Sequence, residues 1–100
     1  MKNRETTIQD AIEDHVRDLY NSGIKIMCER RDASGRNYKK GSADIWVAVN
    51  GIHIEVEIKT DTGKRSTLQE TWERFCKSAG VEYMLVRSLA DFKDQLKIYL

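Results

Sequence analysis

The residues best suited to chemistry lie in one stretch, ADIWVAVNGIHIEVEIKT, at positions 43–60. Ile45, Val47 and Val49 alternate on one arm of it, and Ile52, Ile54, Val56 and Ile58 on the other, with Asn50-Gly51 between them. That dipeptide suits the two positive-φ positions of a type I′ turn, so the pattern predicts a β-hairpin. A two-residue turn sets the register: facing residue numbers sum to 101. Val49 then faces Ile52, Val47 faces Ile54 and Ile45 faces Val56 on the apolar side. On the other side Trp46 faces Glu55, Asp44 faces Glu57, and Lys59 follows one strand repeat along. The 44–57 pair is of the non-hydrogen-bonded kind, with Cα atoms about 4.5 Å apart, so two ionised carboxylates would repel each other directly. A divalent cation between them turns repulsion into coordination. Oxygen donors suit Mg²⁺ or Mn²⁺, and the carbonyl of Ile58 offers one more oxygen. A neighbouring lysine suits an anionic transition state or an activated water. The same residues have a plainer reading: antiparallel strands carry Glu and Lys on their wet face, and Lys59 simply pairs with Glu57.

The elements that must position these groups are legible on either side. Ile8, Ile12, Val16 and Leu19 make one helical stripe, predicting a helix over 5–21 with Gly23 just past its end. Ile24–Cys28 reads as a short strand, and 30–42, with Gly35 and Gly41, as a loop. After a loop at 60–65, Ser66 starts a helix, with Gln69 completing a capping box. Leu68, Trp72, Phe75, Cys76 and Ala79 form its apolar stripe, and Gly80 stops it. Val81–Arg87 is apolar on both faces, which predicts a central strand covered on both sides. Ser88 caps a last helix, with Asp91 three residues on and Leu89, Phe92, Leu96 and Tyr99 on one face. The order αβββαβα predicts an α/β (α+β) domain, a mixed sheet flanked by helices.

Composition narrows the function classes. A chain of 100 residues, 40% of them hydrophobic, predicts one domain spanning 1–100. The net charge of +1 excludes a uniformly basic nucleic-acid binder and an acidic disordered tail. There is no apolar run long enough for a transmembrane helix, and the polar start MKNRETTIQD is unlike a signal peptide. An intracellular protein with no membrane partner is therefore expected. Cys28 and Cys76 lack Cys-x-x-Cys spacing and read as buried thiols. His15 and His53 lie far from them, which argues against structural zinc. Charge is unevenly spread: in residues 30–40, Arg30, Arg31, Arg36, Lys39 and Lys40 face only Asp32, a net of +4, leaving −3 for the rest. A cationic loop directly before Asp44, with Lys64 and Arg65 beyond Lys59, is what a phosphodiester substrate would need around a metal site. The alternative is a solvated loop. Nothing in the chain resembles a base-reading helix or finger.

Gly41-Ser42-Ala43-Asp44-Ile45 followed by Glu57-Ile58-Lys59 resembles the PD-(D/E)-x-K nuclease superfamily. The ordered set Gly41, Asp44, Val56-Glu57-Ile58-Lys59, Gln69 and Val86-Arg87-Ser88 is similar to its virus-type replication-repair nuclease (VRR-NUC) family, over essentially the whole chain. The resemblance implies a restriction-endonuclease-like core. It implies that Asp44 and Glu57, with the Ile58 carbonyl, hold the metal, that Lys59 is the catalytic lysine, and that Gln69 and Glu5 complete the site. One departure is Ala43, where the family carries proline. Glu55 shares the charged face and would reach a metal only through water. Glu13 is an alternative helix acid, but lies off the apolar stripe. Gln69 also reads as the partner of Ser66 alone, and Glu5 as a first-turn acid favoured by the helix dipole. Trp46 and Trp72 read as packing groups, His53 as a surface strand residue.

The resemblance further implies an Mg²⁺- or Mn²⁺-dependent, structure-specific DNA endonuclease of replication or repair. Small viral members of the family suggest a homodimeric enzyme cleaving Holliday junctions, here of phage type and acting in the cytoplasm of a bacterial host. A two-fold enzyme matches a two-fold junction. The terminal helix, ending KIYL, is one candidate dimer surface. The competing expectation is a catalytically silent DNA-binding or assembly domain with the nuclease fold, for which Ala43 is the support. A third is a metal-independent protein-interaction module.

Overall fold

A computed structural model describes residues 4–31 and 39–100. The order is α1 Arg4–Asn21, β1 Ile26–Arg30, β2 Ile45–Val49, β3 Ile52–Ile58, α2 Thr67–Ser78, β4 Glu82–Val86 and α3 Leu89–Leu96, then a 3₁₀ turn Lys97–Tyr99. Among the described residues the strands form one sheet in the order β1-β2-β3-β4. β1, β2 and β3 are antiparallel, and β4 runs parallel to β3. This is the expected αβββαβα mixed sheet with flanking helices. No described helix is long and apolar enough to cross a membrane.

The hairpin forms where the Asn-Gly signal puts it. Asn50 and Gly51 adopt φ of 50° and 83°, the pair of positive values a type I′ turn requires. Ile45↔Val56, Val47↔Ile54 and Val49↔Ile52 pair as the register predicts. Their side chains except that of Ile52, which is exposed, make the core face with Ile26, Met84 and Val86, and against it Ile12 and Val16 of α1 and Phe92 and Leu96 of α3 are buried. α2 packs on β4 from the opposite face.

Three expectations are corrected. The first strand starts at Ile26, two residues later than the apolar run suggested. The Ile24 N–H bonds back to the Leu19 carbonyl at 3.1 Å, so Ile24 closes the end of α1 instead of entering the sheet. Glu29 and Arg30, which carry no strand signal, are recruited by pairing with Trp46 and Ile45. Second, β4 lies at the sheet edge, not its centre. Its apolarity on both faces reports cover by α2 on one side and α3 on the other, as a parallel strand reached through a crossover helix requires. The apolar stripe of α2 is also less buried than expected: Cys76 is buried, but Leu68 and Phe75 remain exposed.

Gly41 shows why the approach to Asp44 needs glycine. Its φ is +91°, and an added Cβ would stand 2.6 Å from the Leu68 Cβ and 2.8 Å from the Leu68 carbonyl carbon. The loop before Asp44 therefore lies directly against the first turn of α2. At the other end of β4, Arg87 donates to the carbonyls of Thr60 at 2.5 Å and Gly63 at 3.0 Å, tying down the loop that leaves Lys59.

Candidate active site

The antiparallel ladder between β2 and β3 ends at Ile45↔Val56, and Asp44 stands one residue beyond it. There the Asp44 side chain replaces the next backbone partner: its Oδ2 accepts the Ile58 N–H at 2.8 Å. Its carbonyl accepts the Arg31 N–H at 2.9 Å, which closes the β1 side. In an extended strand the N–H and C=O of one residue point the same way, so the Ile58 carbonyl also faces the Asp44 side. Lys59 continues the parallel ladder through its N–H to the Val86 carbonyl at 3.0 Å. Its Nζ is 4.0 Å from Glu5 Oε1 in the first turn of α1. Burial, then the negative charges of Glu5 and Glu57, hold the Asp44 carboxyl above the usual aspartate range, while the Ile58 N–H and Lys59 oppose them. Asp44, Glu57, Lys59 and Glu5 thus share one electrostatic neighbourhood at one end of the hairpin.

Glu57 does not wait for a cation. Its side chain is 1% exposed, and both carboxylate oxygens are held by Arg65, from Nε at 3.1 Å and Nη2 at 3.2 Å. The Tyr83 hydroxyl donates to the same carboxylate. The expectation that only a metal ion makes the acid pair tolerable is therefore corrected: the loop before α2 supplies a guanidinium. Among the described residues no three His, Cys, Asp or Glu side chains come together as a metal-binding group. The donor chemistry of Asp44, Glu57 and the Ile58 carbonyl suits a hard divalent ion, and among the described residues the charge of Lys59 is the cation that bears on Asp44. Glu57 suits one only with its oxygens released by Arg65. Beside Asp44, the buried Ser42 hydroxyl has no partner among the described residues.

The remaining predicted residues divide between the fold and the surface. Gln69 lies in the first turn of α2, where its Oε1 accepts the Ser66 N–H at 2.9 Å and its own N–H donates to Ser66 Oγ at 3.1 Å. Its side-chain oxygen is thus engaged in the capping box. Arg30 binds Asp10 at 2.7 Å and Glu13 at 3.0 Å, joining β1 to α1. Arg31 donates to both oxygens of Glu55, at 2.6 and 3.0 Å, and to the Ala43 carbonyl at 3.0 Å. Arg65 bridges Glu57 and Glu73, the latter at 2.7 Å. These three arginines are cross-links of the fold in this arrangement, where the sequence suggested a free cationic rim. Lys39, Lys40 and Lys64 are exposed. Lys39 Nζ lies 5.9 Å from the Trp72 ring centre and 5.6 Å from that of Phe75. Arg36 lies outside the described residues.

Sequence reasoning missed a second buried network. Glu55 is 3% exposed and accepts from Arg31, from His53 Nε2 at 2.5 Å and from Trp72 Nε1 at 3.2 Å. Burial raises its carboxyl, but the Arg31, His53 and Trp72 bonds together outweigh that and hold it below the usual range. Glu55 is thus an internal anchor, and His53, an exposed strand residue as expected, is one of its donors and stacks on Trp46. The strand alternation already placed Glu55 and Glu57 on one face. Their partners come from other elements, so no local pattern pointed to them.

Fold and site together define an α+β domain of nuclease-like architecture, with an aspartate, a glutamate and a lysine gathered at the open end of a hairpin. Comparison with solved structures agrees. A structure described as a VRR_NUC domain superposes with a TM-score of 0.78 at 17% identity, covering 99% of this chain and all of the other. A second, described as a VRR_NUC domain protein, gives 0.77 at 11% identity, over 100% of this chain and 90% of the other. The chain has the VRR-NUC fold. No protein-family model matches the sequence, and no curated protein matches it.

Proposed function

We propose that this protein is an Mg²⁺- or Mn²⁺-dependent, structure-specific DNA endonuclease that hydrolyses phosphodiester bonds. The observation that carries the reading is the gathering of Asp44, Glu57, Lys59 and Glu5 around the end of the β2–β3 hairpin in a VRR-NUC fold. Asp44, Glu57 and the Ile58 carbonyl would hold the metal, which, when bound, supplies Lewis-acid stabilisation of charge developing on the phosphate. Lys59, with most of its side chain shielded, holds an ammonium beside these acids, where it orients the attacking water and offsets negative charge in the transition state. Glu5 holds Lys59 from the α1 side. Gln69 sets the start of α2, which the Gly41 loop abuts. Lys39, Lys40 and Lys64 are the exposed cations that would meet the DNA backbone, a contact that recognises shape and not base sequence.

The finer reading is a homodimeric, phage-type enzyme cutting Holliday junctions or related branched DNA in replication or repair, in the cytoplasm of a bacterial host. It rests on the motif resemblance and on the match between a two-fold enzyme and a two-fold substrate. The test is a divalent-ion panel against junction, flap, duplex and single-stranded DNA, with Lys59→Ala beside the native protein. Metal-dependent cutting of branched DNA, lost in the variant, is expected. Equal cutting by both proteins would remove the role given to Lys59.

One observation favours a second reading. Arg65 and Tyr83 already satisfy Glu57, as they would in a catalytically silent DNA-binding or assembly domain. Junction binding without cutting in any divalent ion would select it.

A further inference from the structure

Arg65 stands between two carboxylates with different claims on it. On one side Glu57, buried in β3, receives its Nε and Nη2; on the other Glu73 of α2 receives its Nη1 at 2.7 Å. Glu73 is shared in turn with Lys77 at 2.7 Å. The Tyr83 hydroxyl accepts from Arg65 Nη2 at 3.1 Å while donating to Glu57, and the guanidinium lies 5.8 Å from the Tyr83 ring centre. Among the described residues no guanidinium reaches Asp44, one residue beyond the paired hairpin; its partners there are the Ile58 N–H and the charge of Lys59. Two like-charged acids thus meet at one place, and among the described residues Glu57 is the one ion-paired with a guanidinium. That counter-cation comes from a loop residue with a second anion already in hand.

We propose that Arg65 is an exchangeable counter-ion: it and a divalent cation are alternative occupants of Glu57. Without metal, Arg65 gives the buried Glu57 carboxylate its counter-charge. With metal, Glu57 turns its oxygens to the ion and Arg65 falls back on Glu73. Three charges then remain on that side, Arg65 and Lys77 against Glu73, a surplus of one positive charge beside the site. That surplus is available to a substrate phosphate, so metal loading and phosphate affinity rise together. The inference rests on the metal-dependent reading above and adds the residue that the metal must displace.

The tests read metal binding itself, without DNA. In the native protein, Mg²⁺ titration should move the side-chain N–H resonance of Arg65 Nε in ¹H–¹⁵N spectra and speed its exchange with water. By calorimetry, Arg65→Gln should bind Mn²⁺ about tenfold more tightly than native protein, since a charge-assisted bond no longer competes. Glu73→Gln should bind it more weakly, because the displaced guanidinium has lost its second partner. An orienting role for Arg65 predicts the reverse for Arg65→Gln. If Arg65→Gln fails to fold, the native resonance and Glu73→Gln still decide. Mn²⁺ binding of equal strength in all three proteins, with an unmoved Arg65 resonance, overturns the exchange and leaves the nuclease reading standing. No Mn²⁺ heat in any of them overturns the metal reading and the exchange with it.

Discussion

Removing the guanidinium from the Glu55 network is the sharpest test of how this sheet face is held. Arg31→Met keeps most of the side-chain length and deletes two bonds to a carboxylate that is 3% exposed. Breaking a buried ion pair from one side costs about 3–5 kcal/mol. His53 and Trp72 continue to donate to Glu55, so the lower end, about 3 kcal/mol, is expected. For a domain of this size, each kcal/mol lowers Tm by about 4–8 °C, giving a fall on the order of 10–25 °C. Urea unfolding followed by Trp46 and Trp72 fluorescence measures it. The pH dependence has a definite sign. In the native protein the Glu55 carboxyl is held low, so its contribution is present above the unfolded value near ~4.3 and fades as pH falls through the folded one. Arg31→Met loses most of that contribution, so the gap between the two proteins must narrow as pH falls below ~4.3 and through the folded value. Arg31→Met with Glu55→Leu should regain much of the loss, since an apolar pair replaces the ionic one. A loss under about 1 kcal/mol, or one unaffected by acid, would refute the anchoring role.

Other outcomes follow from the same arrangement. Asp44→Asn should abolish cleavage while leaving Tm level or higher, because it removes a partly buried charge crowded by Glu5 and Glu57, and an amide oxygen can still accept the Ile58 N–H; paired activity and melting assays check this. Gly41→Ala should destabilise by roughly 1–3 kcal/mol, from the positive φ and the collision with Leu68, as read by urea unfolding. Lys39→Ala with Lys40→Ala should weaken DNA binding evenly across sequences and lower the salt slope by about 1 per lysine that meets a phosphate. An unchanged slope would move the DNA elsewhere. Ile12→Ala, at a fully buried position of α1, should cost about 2–5 kcal/mol by the same unfolding assay.

Sequence alone determined the local geometry. Asn50-Gly51 dictates a type I′ turn, a two-residue turn dictates the register, and strand alternation then puts the isoleucines and valines on the core face and Asp44, Glu55 and Glu57 on the other. The stripe of α1, the capping box of α2 and the Ser88 cap of α3 are equally local, because short-range sterics and hydrogen bonds decide them. Tertiary structure decided which charges meet. Arg65 reaches Glu57 across a loop, Arg31 reaches Glu55 across β2, and Glu5 reaches Lys59 from the far end of the chain. It also decided that β4 is an edge strand and that Glu29 and Arg30 are extended. Side-chain periodicity tells which face is covered; it carries no information on which distant cation the covered carboxylate will find, because that pairing is settled only when separately formed elements pack.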